Sequence, residues 1–293
     1  MINHFLKAES LTFSFFLLIR KKNSKSIMKK ITYIIGAFAL LLNSCSHDIE
    51  PNMPPSDSST NPTNPSNPSN PSPSSILVKK IISNETGATI TSNLTYNGNK
   101  IVTIIDDSAE VDLFFTYTGD NITKIEYKLN DGTVDQVDNY SYDASGRIIS
   151  MVSLQPNVDW GQKEVYTYNT DGTVSVNYYS GDLLSQTNLD QIGKIYFSNG
   201  EVSKIELFDD LGNSDDVIVY GYDNKINPLK NITGYSKLNF CYSIANGINN
   251  NIVSENSTAN GLTSYTFVYE SNNYPKMVTE THGGTSSTTQ FFY

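Results

Sequence analysis

From residue 76 onward the chain alternates apolar and polar positions with a period of two, and short Gly-containing turns interrupt the alternation. Asp112–Tyr117, Glu164–Tyr168, Val174–Tyr178, Val217–Tyr222 and Tyr265–Tyr269 all show it. That period places successive side chains on opposite faces and predicts strands. The unit is clearest at Tyr140-Ser141-Tyr142-Asp143-Ala144-Ser145-Gly146-Arg147-Ile148: two tyrosines on one face, a polar turn, and a returning apolar residue. Versions follow Leu94, Phe115, Tyr166, Tyr196, Tyr220 and Phe267. Turns at 98, 119, 146, 172, 200 and 224 stand 21, 27, 26, 28 and 24 residues apart. Such a period fits two strands and their turns, so each unit predicts one β-hairpin. Asn-Gly and Asp-Gly between alternating runs strengthen the reading.

The predicted fold is therefore all-β: an antiparallel up-and-down meander of repeated hairpins over residues 76–293, curled or barrel-like, with its aromatic face inside. Residues 228–251 break the pattern at Pro228 and predict an irregular or short helical insertion covering an end or edge of the sheet. The tyrosines read first as a buried face, with ligand stacking by some of them as the alternative.

The N-terminal quarter is different. Lys29 and Lys30 precede an apolar run from Ile31 to Leu42, too short to span a bilayer comfortably. Leu42-Asn43-Ser44-Cys45 resembles the lipobox of bacterial lipoproteins, which implies cleavage before Cys45 and acylation of it. Residues 28–44 are then a signal peptide, with an ordinary signal and an incidental Cys as the alternative. Residues 1–27 read as a start-site artefact, or else as an extra anchor. Residues 45–75 are the lipidated Cys and a Pro/Asn/Ser tether holding eight of the chain's eleven prolines. Such a composition favours extended, unpacked chain. Ser46-His47-Asp48-Ile49-Glu50 loosely resembles the acidic signal that sends Bacteroidota-type lipoproteins to the outer face of the outer membrane. An outer-membrane, lipid-anchored location follows, periplasmic or surface-facing.

Charge narrows the partners. Of 20 basic and 30 acidic residues, seven and one precede Cys45, leaving a net charge of about −16. Nucleic acid, which needs Lys and Arg, is excluded. If Cys45 is acylated, Cys241 has no intramolecular partner and reads as a structural, buried thiol.

Two resemblances add to this. Tyr140-x-Tyr142-Asp143-x-x-Gly146-Arg147-Ile148 resembles the YD repeat of Rhs-type shell proteins, although only this copy carries the full motif. Tyr220-Gly221-Tyr222-Asp223-Asn224 through Leu229, with Phe267 to Pro275, resembles a family of Bacteroidota lipoproteins carrying a domain of unknown function. The likeness implies a β-meander lipoprotein and no activity. An Rhs-type cocoon would need a longer domain.

Catalytic chemistry is thin. Of three His, only His282 lies in the domain, and no Gly-x-Ser-x-Gly elbow accompanies it. No phosphate-cradling loop or dinucleotide fingerprint is present, so no cofactor is expected. Asp209–Asp216 is the best calcium candidate, but it matches no EF-hand loop and reads as an acidic turn, so no metal is expected. The aromatic ending Phe291-Phe292-Tyr293 suggests a membrane-spanning barrel, which a second face rich in Ser, Thr, Asn and charge opposes. The expected function is a non-catalytic envelope lipoprotein that binds a glycan or other extracellular polymer, with Trp160 as the candidate contact. A structural or protein-interaction module of an envelope complex is the alternative, and a hydrolase the minor one.

Overall fold

The computed structural model describes residues 75–85, 88–107 and 111–293. The start-site, signal and lipidation assignments, including Cys45, lie outside the described residues, as does nearly all of the tether. The strands are β1 (Lys80–Glu85), β2 (Ala88–Asn97), β3 (Lys100–Asp106), β4 (Val111–Thr118), β5 (Asn121–Leu129), β6 (Val134–Tyr142), β7 (Ile148–Gln155) and β8 (Trp160–Tyr168). They continue as β9 (Val174–Gly181), β10 (Gln186–Ser198), β11 (Glu201–Asp209), β12 (Ser214–Tyr222), β13 (Ile252–Ser257), β14 (Gly261–Tyr269), β15 (Pro275–His282) and β16 (Thr285–Phe292).

Each strand pairs antiparallel with the next, and β1 pairs with β16 through Ile81 opposite Phe291, so the sheet closes as a barrel. The expected meander of hairpins is present, and closure removes both sheet edges. One end of the barrel, the tyrosine end, carries the Tyr-x-Tyr turns and both ends of the described chain. The far end carries the alternate connections.

The local chemistry of the turns is visible at β6–β7. The Asp143 carboxylate accepts the backbone N–H groups of Ser145 and Arg147, both at 2.9 Å, and the Arg147 Nε at 2.8 Å. Gly146 completes the turn at φ +76°, a backbone region that disfavours side chains. Asp143, Gly146 and Arg147 thus stand together in this turn for a structural reason.

Alternation sorts the side chains as expected. Ile101, Ile104, Leu113, Ile122, Ile125, Tyr140, Ile148, Tyr166, Ile205 and Tyr220 are buried on the inner face. The outer face is polar, with Lys124, Glu126 and Lys128 in succession along β5 and ion pairs of 3.2 and 3.7 Å between them. Lys163, Lys194 and Lys204 also stand mid-strand on the outer face. This is not the apolar band of a barrel that faces lipid. Among the described residues no helix is long and apolar enough to cross a membrane.

The insertion sits at one end of the barrel, one of its two expected places, and reaches deeper than a cover. It has short 3-10 turns at Tyr235–Leu238 and Cys241–Ser243, as an irregular segment should. It does not cover an edge. Leu229, Ile232, Tyr235, Leu238, Phe240, Cys241 and Ala245 are buried in the same cluster as the inner face of the strands. The segment bonds to Asn99 beyond β2, Tyr117 of β4, Glu164 of β8, Glu201 of β11 and Tyr274 before β15. An element that meets the wall at so many points around its circumference lies within the ring. Residues 223–251 therefore form a plug that fills the lumen from the tyrosine end, and without them the inner apolar face would be wet.

Candidate functional site

The plug is held by carboxylates that accept its backbone N–H groups. Glu201, at the start of β11, accepts from Ile248 at 2.8 Å, Asn249 at 2.7 Å and Asn250 at 3.1 Å. Asp223 accepts from the Asn251 amide at 3.0 Å and from Lys225 at 2.9 Å. Deeper in, Glu164 accepts from the Tyr242 amide at 2.9 Å and from the Tyr166 hydroxyl. Tyr242 lies at φ 63°, a left-handed conformation that turns its N–H toward the wall.

Asp138 is the second buried acid of this layer. Its carboxylate accepts from Tyr127 at 3.1 Å, Tyr140 at 3.2 Å and the Gln136 amide at 2.9 Å. Burial pushes the Glu164 carboxyl up to about 7 despite its hydrogen bonds, and the negative field of Asp138 adds to the shift. Burial also raises Asp138, against hydrogen bonds from Tyr242, Ser153, Gln136 and Tyr127. The Cys241 thiol is buried in this layer and is pushed well above its ordinary value by burial and by Glu164, so it is a poor nucleophile. Raised acids in a pocket open to substrate would suggest catalysis. Here tyrosines and the plug surround them. The cavity beside the plug, lined by Asn227, Leu229, Tyr235, Asn251, Tyr265 and Phe267, measures about 60 Å³. It has room for a few water molecules and not for a sugar ring.

The sequence candidates are scattered. His282 ends β15 and meets the Thr263 hydroxyl at 2.9 Å through Nδ1. Trp160 opens β8 at the far end, half-buried, with Gln155 opposite it. The aspartates of 209–216 diverge. Asp209 accepts from Leu211 and Asn213 within its own turn, Asp215 from Gln191, and buried Asp216 from Ser257 and Thr258. Among the described residues no three His, Cys, Asp or Glu side chains gather to hold a metal. Sequence reasoning missed the buried acids Asp138 and Glu164. Their signal was phase, because each stands two residues before the first tyrosine of its Tyr-x-Tyr pair and so shares the inner face.

The outer wall holds a second kind of feature. Phe114, Tyr179, Tyr196, Phe208 and Phe292 point outward, against the expectation that the aromatics would gather on one face. Three of these rings carry an ammonium: Lys128 lies 4.8 Å from Phe114, Lys204 4.0 Å from Tyr196 and Lys80 4.2 Å from Phe292. Among the described residues no cation lies over Tyr179 or Phe208.

No family model matches the chain, and no curated protein does. Among solved structures, a porin-like protein from Bacteroides uniformis aligns at TM-score 0.47 and 13% identity, over 73% of this chain and 97% of that one. A porin-like protein from Bacteroides vulgatus aligns at TM-score 0.42 and 12% identity, over 75% and 99%. The closed barrel described above rests on this chain's own strand ladder.

Proposed function

We propose that the protein is an outer-membrane lipoprotein, anchored through Cys45, whose barrel is a non-catalytic binding module for a glycan or other extracellular polymer. The observation that carries this reading is the filled lumen. With the plug inside and the acids enclosed, no described cavity admits a polymer, so recognition falls to the outer surface. The tether supports the same reading. Ser75 accepts a bond from Asn99 at 2.9 Å and the Ile76 carbonyl one from Asn231 of the plug at 2.9 Å, so the tether joins at the plugged end. A barrel held by that end presents its walls and far turns away from the anchor, and Trp160 stands at those turns.

Two measurements test this. Replacing Cys45 with Ala should abolish incorporation of labelled palmitate and move the protein to the soluble fraction; retention in the membrane refutes the anchor. Thermal unfolding against a glycan panel tests the module. Ligand at about 100 times its dissociation constant adds about 2.7 kcal/mol. For a domain of this size that raises the midpoint by roughly 5–10 °C. No shift with any glycan at saturation refutes polymer binding.

A second reading, a protein-interaction module, is favoured by the far turns. Leu184 and Leu211 there are 95% and 82% exposed. Crosslinking on intact cells that captures one envelope protein through these turns, together with a null glycan panel, would select it.

A further inference from the structure

We infer that the outer wall of β9–β11 is a polysaccharide platform in which Tyr179 and Phe208 stack on rings of one linear chain. The inference rests on the binding-module reading above and places its site. Tyr179 shares the outer face with Asn177, whose Nδ2 donates to its hydroxyl at 3.2 Å. Asn177 pairs with Ile192, and Ile192 pairs with Phe208 on the far side. The two aromatic side chains are thus two strands and one rung apart, roughly 12 Å. That is the reach of a short run of linked pyranose rings, so both can touch one chain.

The chemistry of the patch fits a sugar. Outer positions elsewhere on the wall mix Thr, Ser, Asn and Lys with single exposed aliphatics such as Val102, Ile149, Val219 and Val268, none of which offers a flat ring face. Tyr179 and Phe208 are only partly buried, with their faces free of the lysines that cover Phe114, Tyr196 and Phe292. A sugar offers C–H groups to an aromatic face and hydroxyls to its rim. Lys163, directly opposite Tyr179 on β8, has no carboxylate partner among the described residues. It can donate to ring hydroxyls or to a uronate. Ile192 floors the patch between the rings, and Val165 extends it beside Asn177 on β8. All of these side chains stand on paired strands, so little ordering accompanies binding.

The test uses the full mature protein extracted in detergent, with retention measured on cellulose, chitin, xylan and pectin. The wild-type protein should be retained by one of these, and Tyr179→Ser and Phe208→Ser should each weaken retention at least tenfold. Ser is a residue this wall already uses, and unchanged thermal midpoints would show that the variants fold. Phe114→Ser, at a lysine-covered ring, should bind as wild type does. Retention of wild type with no loss in Tyr179→Ser or Phe208→Ser overturns the platform while leaving a binding module elsewhere on the surface. Retention by none of the four overturns the platform and counts against polymer binding altogether. Loss in the Phe114 variant equal to the others overturns the assignment to β9–β11.

Discussion

The phenol of Tyr142 donates to the backbone carbonyl of Ile122 at 2.6 Å, across the end of the β5–β6 ladder. The ladder stops at Lys124 opposite Asn139, which leaves Ile122 without a partner on β6. The same device recurs as Tyr168 to Ile148 at 3.0 Å, Tyr222 to Val202 at 2.8 Å, Tyr96 to Val78 at 2.6 Å and Tyr293 to Pro275 at 2.9 Å. A buried carbonyl must find a donor, and in these five cases the tyrosine at this position supplies it, whereas Tyr117 and Tyr269 turn theirs to the Thr233 carbonyl and the Asp223 carboxylate of the plug. The repeat is thus a closing device for the tyrosine end. Where that position is Phe197, no hydroxyl exists, and the ring instead meets Phe240 of the plug edge-on at 5.8 Å.

Tyr142→Phe and Tyr222→Phe should each therefore cost about 1 kcal/mol, the net worth of one hydrogen bond. The thermal midpoint should fall by roughly 2–4 °C for each. The two sites lie on distant strands, so the double variant should show the sum. A fall in either single variant below half a degree would mean that water replaces the phenol and that the recurrence is packing alone.

Glu201 fixes the last turn of the plug through three backbone N–H groups. Glu201→Ala leaves those donors buried and unpaired, with an expected loss of roughly 3 kcal/mol. The loss should also be local. Amide exchange at Ile248, Asn249 and Asn250 should speed by at least tenfold while the amides of β5 and β6 stay protected. Uniform acceleration through the barrel would show that plug and wall unfold as one unit and not in sequence.

Much of this fold was legible because a strand's period is two. The inward pair Ile125 and Tyr127 and the turn at Gly146 follow from alternation and turn chemistry, whereas Ile122, three residues before Ile125, faces in because the β4–β5 register shifts there. Closure was less so, since pairing of Lys80 with Phe292 joins residues with no local relation. The plug was hidden for another reason. Leu229, Ile232, Leu238 and Phe240 follow neither strand nor helix spacing, so nothing in their pattern says which surface they bury. The outward rings were obscured by adjacency. In Tyr178-Tyr179 and Tyr196-Phe197 one aromatic must face in and the other out, yet both read as core. Trp160, singled out for its type, shares the inner phase of Gln162 and Glu164, whereas Tyr179 and Phe208 stand on the outside.

Gly234 begins the first helical turn of the plug at φ +80°, and a Cβ there would come within 2.7 Å of the Asp120 carbonyl. Gly234→Ala combines a left-handed penalty of about 1–2 kcal/mol with that clash. The plug should shift away from the β4–β5 turn, and Lys237 should lose its bond to Asn121. A lowered midpoint, with faster protease cleavage inside 223–251, is the expected result. Gly172, at φ +82° with open space around it, is the control. Gly172→Ala should carry the backbone penalty without exposing the plug.

Stability against pH should turn on Glu164. Its carboxyl is raised by burial to about 7 in the folded barrel, above an ordinary value of 4.5. Between these values the folded state holds a proton that the unfolded state has lost, so stability falls as pH rises through this window. The full difference is on the order of 3 kcal/mol. Asp138, also raised by burial, acts in the same direction. At the acid side the sign reverses. Hydrogen bonds from Thr173 and Lys194 lower Asp171 to about 2, and those around Asp143 lower it too, so their stabilisation is lost as pH falls below the ordinary aspartate range. Maximum stability is therefore expected near pH 5. Glu164→Gln keeps an oxygen for the Tyr242 amide and removes the titration. It should leave the midpoint at pH 5 within a few degrees of wild type and raise it at pH 8, flattening the slope between. An unchanged slope in Glu164→Gln would assign the pH dependence to Asp138 and show that the acid facing Tyr242 stays ionised inside the barrel.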